Sequence, residues 1–104
     1  MKKVVDGKMY NTETAELVHG WSNGRGYSDF KHREKTLYLT KKGSWFIYHS
    51  GGAMTDMAKS AGDNSYSGSS DIEPVTRKDA ARFLETHDGV DALEKYFIDE
   101  IEEA

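Results

Sequence analysis

The chain has no cysteine and one proline among its 104 residues. Without thiols it forms neither disulfides nor thiolate nucleophiles, which suits a reducing compartment. Long apolar runs are also missing. The opening MKKVVDGKMY carries lysines with no hydrophobic stretch behind them, so it reads as neither a signal peptide nor a membrane span, and a cytoplasmic protein is expected. What is present suffices for one core: apolar residues make up 37% of the chain and aromatics 12%. A single domain spanning residues 1–104 is expected, too small for a large active-site cleft.

Charge is unevenly distributed. From residue 71 onward eleven acids face four bases, giving −7, whereas the first seventy residues hold ten bases and seven acids, giving +3. A basic half followed by an acidic end produces a lopsided field that steers partners of either sign.

Periodicity gives the layout. Asp6-Gly7 between KKVV and KMY suits a two-residue hairpin turn, where both positions need positive φ. Asn11 and Thr12 cap a turn, and Ala15, Leu17, His19 and Trp21 then alternate with Glu16, Val18 and Gly20 as a strand; a short helix over 13–18 is the alternative. Residues 36–40 and 44–48, joined by Lys41-Lys42-Gly43, read as an antiparallel hairpin. Its second strand is apolar on both faces, Trp45 and Ile47 against Phe46 and Tyr48, and so central and covered. HSGG, residues 49–52, leads into a short helix capped at Gly62. After Pro74, Thr76 and Asp79 stand at capping-box spacing, with Val75 and Ala80 as a staple. Ala80, Phe83, Leu84 and His87 share one helical face. Beyond Asp88-Gly89, Val90, Leu93, Phe97, Ile101 and Ala104 define a second stripe. The expected class is α+β, an antiparallel β-sheet packed against a C-terminal helical hairpin.

Catalytic patterns are sparse. The glycine pair Gly51-Gly52 lacks the spacing of a phosphate loop, since Lys59 follows a turn too late. The amides of residues 53–55 remain a weaker anion-holding option at the start of the short helix. His49 and Ser50 are strand neighbours that point to opposite faces, so they do not make a nucleophile and base. His19, His32 and His87 stand singly, and no HxxxH or HExxH spacing occurs, so neither a metal nor another cofactor is expected. The reading is of a protein that is not an enzyme; a pocket gathering His49, Ser50 and Asp56 would argue otherwise. Lys31, Arg33, Lys35, Lys41 and Lys42, with aromatics nearby, offer a nucleic-acid surface on the basic hairpin of residues 31–42.

DGKMYNTETAELV, then DFKHREKTLYLTKKGSWFIYHSGGAMTDMA, then GDNSYSGSSDIEPVTRKDAARFLETH resembles a family of small proteins encoded by phages and other mobile elements of Firmicutes. Its members carry patterns such as GKxYxTETA, ETLYxTKKGxWFLxGxGGxMxxYA and NxWxGxxxIxPLTxxEAxxW. The resemblance spans almost the whole chain and departs at Tyr66 and Phe83, where the pattern has Trp, and at His49-Ser50. The family brings no active site. It implies an accessory protein that occupies a host protein, and in size and charge the chain is most similar to anti-CRISPR inhibitors of RNA-guided nucleases, with a type II effector as the expected partner. Asp88, Asp91, Glu94, Asp99, Glu100, Glu102 and Glu103 would then imitate a phosphate backbone, with Trp21, Tyr27 and Tyr66 as exposed loop anchors. Binding of nucleic acid through the basic hairpin is the alternative.

Overall fold

The structure, a computed structural model, describes residues 1–26, 29–62 and 65–104. Strands β1 (Lys2–Val5) and β2 (Lys8–Asn11) form a hairpin whose Asp6 and Gly7 both adopt positive φ, 51° and 77°. Strands β3 (Glu16–Ser22), β4 (Arg33–Leu39), β5 (Trp45–Gly51) and β8 (Ser69–Val75) make a fully antiparallel sheet in the order β3-β4-β5-β8. A second small hairpin pairs β6 (Lys59–Gly62) with β7 (Ser65–Ser67). Helices α1 (Arg77–Thr86) and α2 (Val90–Tyr96) follow, then a 3₁₀ turn over Ile98–Glu100. The class is α+β. No helix among the described residues is long and apolar enough to cross a membrane.

The central strand β5 is covered on both faces, by different material. Trp45 and Ile47 join Leu37 under the helices, against Ala80, Phe83, Leu84, Ala92 and Phe97. On the opposite face Phe46 packs with Ile72 and with Tyr10 of the β1–β2 hairpin, whose ring meets it edge-on at 5.6 Å. Helix α1 starts as its cap residues dictate: the Thr76 hydroxyl accepts from the Asp79 amide at 3.1 Å, and Val75 and Ala80 belong to one cluster. Pro74 is accommodated because β8 is an edge strand.

Three elements differ from the sequence reading. The expected strand forms over Glu16–Ser22 and the alternative helix over 13–18 does not; what differs is a bulge between Leu17 and His19. The extra residue shifts the alternation, so that Leu17 faces solvent while Val18 packs toward the helices. No helix follows Gly52. The Thr55 hydroxyl donates to the Gly52 carbonyl and receives the Met57 amide, a local pattern that competes with helical bonding, and Gly62 ends strand β6 instead of capping a helix.

Helix α2 is the third difference. It stops at Tyr96, and its buried side chains are rotated to Ala92, with Leu93, Tyr96 and Phe97 beside it, leaving Val90 and Ile101 exposed. Continuing the helix would set Asp99, Glu100, Glu102 and Glu103 at its negative end and at repulsive three- and four-residue spacings. Glu102 and Glu103 therefore lie beyond any helix.

Candidate functional site

The exposed carboxylates of the C-terminal layer form the first surface. Asp88 sits in the α1–α2 turn with φ 58°, and together with Asp91 it lines a shallow cleft of about 320 Å³ that also touches His19. Glu94 is exposed one turn further along α2, Asp99 lies on the 3₁₀ turn, and Glu102 and Glu103 are exposed beyond it. Of the eight carboxylates from Glu85 to Glu103, Glu100 alone has an ion pair among the described residues, with Arg77 at 3.2 Å.

The sheet side behaves differently. Glu16, Asp29, Asp56 and Asp71 face Lys95, Arg25, Arg33 and Lys3, and Glu34 and Glu73 face His32 and His49. Uncompensated negative charge therefore concentrates on the helical layer. Its cations are largely engaged, Arg77 with Glu100, Arg82 near Asp79 at 4.0 Å and Lys95 with Glu16.

The aromatic anchors separate. Trp21 is not an exposed loop residue: it lies half-buried on β3, its ring 5.1 Å from that of His87 and under Lys35, so it closes the core. Tyr27 lies outside the described residues. Tyr66, on β7, is 65% exposed and lines a cleft of about 510 Å³ beside the glycine pair. Phe30 lines the same cleft, and the Met54 amide bonds to the Phe30 carbonyl at 2.8 Å. Phe30, Met54 and Tyr66 are all largely exposed, a concentration of apolar surface that sequence reading missed for Phe30 and Met54.

The glycine pair itself is structural. A Cβ on Gly52 would stand 2.5 Å from the Phe30 carbonyl oxygen, so a side chain is excluded by backbone passing close by. Two of the three amides expected to hold an anion are already committed, Met54 donating to the Phe30 carbonyl and Thr55 to that of Gly52, and no helix forms there to align them.

His49 and Asp56 do come near one another, but Arg33 stands between them. Its guanidinium reaches Asp56 through Nε at 2.7 Å and Nη2 at 3.2 Å, and Nη2 also donates to His49 Nδ1 at 2.9 Å. Because a guanidinium only donates, Nδ1 is the acceptor and the ring proton sits on Nε2, directed at Glu73 Oε1 2.8 Å away. Both ring nitrogens are engaged. Ser50 lines the glycine cleft, whereas His49 and Asp56 do not, so these residues form no nucleophile and base. Among the described residues, no group of three or more His, Asp or Glu side chains is placed to hold a metal ion.

The basic residues are likewise divided. Arg33 is buried and held by Asp56, and Lys35 lies over Trp21. Lys41 and Lys42 project from the turn at the far end of seven-residue β4, roughly 20 Å from Lys31 at strand spacing. They do not share one track.

No protein-family model, curated protein or solved structure matches the chain.

Proposed function

We propose that the chain is a stoichiometric protein-binding inhibitor of phage or mobile-element origin. Its acidic helical layer occupies a basic groove that normally holds nucleic acid. The reading rests chiefly on one observation: from Glu85 onward seven of eight carboxylates stand without an ion-pair partner among the described residues, whereas Glu16, Asp29, Asp56 and Asp71 on the sheet side are each paired with a lysine or an arginine. A surface that keeps several uncompensated charges gains little in stability from them, but it attracts a partner of opposite potential and repels free nucleic acid. The exposed apolar rim of Phe30, Met54 and Tyr66 supplies the kind of side chains in which interface energy concentrates.

An RNA-guided nuclease fits this chemistry, because its groove binds a polyanionic backbone, and the chain would act as an anti-CRISPR in the bacterial cytoplasm. A type II effector is the first target to test. The decisive experiment measures target cleavage by purified type I, II and V effectors with and without the protein, together with co-purification of each effector. Inhibition saturating at equimolar protein with a co-purifying effector is expected. Failure to bind or inhibit any of them would remove the nuclease assignment.

A further inference from the structure

A second cleft, remote in sequence from the acidic end, has the opposite character. It lies between the β1–β2 and β4–β5 turns and encloses about 520 Å³. Lys8, Lys41 and Lys42 line it, with Thr14, Thr40 and Ser44, and no carboxylate does. We propose that it binds the phosphates of a small oligophosphate-bearing molecule of nucleotide size.

The two turns are held in place by the core. Tyr10 of β2 is buried against Phe46, which fixes the hairpin that carries Lys8. Gly43, with φ 88°, closes the other turn, where the Thr40 amide donates to the Ser44 carbonyl at 2.8 Å and Lys41 and Lys42 stay exposed. The Thr40 oxygen accepts the Ser44 amide at 3.0 Å, which leaves its hydroxyl proton to be donated elsewhere. The hydroxyls of Thr14 and Ser44 make no hydrogen bond to another described residue.

The lysines carry the inference. None of the three has an ion-pair partner among the described residues; most other lysines of the chain have none either, but these three line one cleft that no carboxylate lines. Like charges gathered around one concavity without a counter-charge repel one another, and an anion relieves that repulsion. Lysine ammoniums with hydroxyl donors suit phosphate oxygens. The volume falls in the range of small-ligand pockets, roughly 300–1,000 Å³. A long polyanion fits less well. Its track along β4 would have to continue through Arg33, which Asp56 already holds, and the molecule carries a net charge of −4.

Calorimetric titration with inorganic tripolyphosphate and with ATP tests the site in the full chain, alongside a single-stranded oligonucleotide. Saturable binding at one site is expected, with amide shifts in nuclear magnetic resonance confined to the two turns. The Lys41→Glu/Lys42→Glu variant should lose at least about tenfold in affinity, whereas Lys59→Glu, a lysine outside the cleft, should bind as the parent does. Melting curves establish that both variants fold. No saturable binding of either phosphate compound, or binding that survives the double reversal, would overturn the site. So would binding of the oligonucleotide alone. None of these outcomes depends on inhibition of a nuclease.

Discussion

Arg33 and Asp56 form a two-pronged pair, Nε to Oδ1 at 2.7 Å and Nη2 to Oδ2 at 3.2 Å, although the arginine is buried and the Asp56 side chain is 70% exposed. The same guanidinium donates to the carbonyls of Glu34 and Ser50 and to His49, so one residue ties β4, β5 and the loop before β6 together. A lysine lacks the planar fork. Arg33→Lys should therefore cost about 2 kcal/mol, whereas Asp56→Asn, changing only the exposed partner, should cost about 1 kcal/mol. Chemical denaturation of the two variants at neutral pH measures both.

Acid should act on the same pair. The Arg33 hydrogen bonds hold the Asp56 carboxyl below its ordinary 3.8, so its contribution is present above that value and is lost as pH falls through the lower folded value. Denaturation below pH 4 should show a steeper loss of stability for the parent than for Asp56→Asn.

His87 gives a dependence nearer neutrality. Burial is the main cause of its lowered pKa, followed by the Lys35 and His19 charges, with Asp88 opposing. The ring lies against Phe83 at 4.5 Å and Trp21 at 5.1 Å. With the folded value below 6.5, the stabilising contribution is complete above 6.5 and disappears as pH falls through the folded value. The melting temperature should drop on acidification through this range, and His87→Phe should flatten that drop. An equal drop in the variant would assign the effect elsewhere.

Gly68, between β7 and β8, and Gly26, between β3 and β4, should respond differently to alanine. A Cβ on Gly68 would overlap the Gly51 carbonyl oxygen, while one on Gly26 meets nothing within 4 Å. Gly68→Ala should cost about 1–3 kcal/mol, as overpacking does, and Gly26→Ala should stay within about 0.5 kcal/mol of the parent. Thermal melts of the pair separate close packing from a general intolerance of alanine.

Much of the fold is legible in short-range chemistry. Asp6-Gly7, Lys41-Lys42-Gly43, the two-sided apolar β5 and the Thr76 cap each act locally, and each forms as its residues dictate. What stayed hidden depends on distant partners. The β3 bulge exposes Leu17 because Val18 finds the helices, and Met54 is held by a carbonyl more than twenty positions away. The burial of Trp21 follows from meeting His87, which its surrounding polar residues do not reveal. The acidic residues could be read as charges, but their lack of partners emerges only when Arg77, Arg82 and Lys95 are seen to be occupied elsewhere.

If the acidic end is the proposed interface, function and stability should move in opposite directions when its charge is reversed. Asp99, Glu102 and Glu103 follow the C-terminus of α2, where negative charge is unfavourable to the helix dipole, and none has an ion pair among the described residues. Reversing all three to lysine should leave the melting temperature unchanged or slightly higher, a gain of a few tenths of a kcal/mol at most per site. If these carboxylates imitate phosphates, the same variant should lose at least about tenfold in affinity for the nuclease, and the parent's affinity should fall steeply with added salt. Glu100 is left in place because Arg77 uses it. Undiminished inhibition by a folded triple variant would transfer the interface to Asp88, Asp91 and Glu94 or to the rim of Phe30, Met54 and Tyr66. Glu94→Lys and Phe30→Ala, measured by the same titration, would then choose between them.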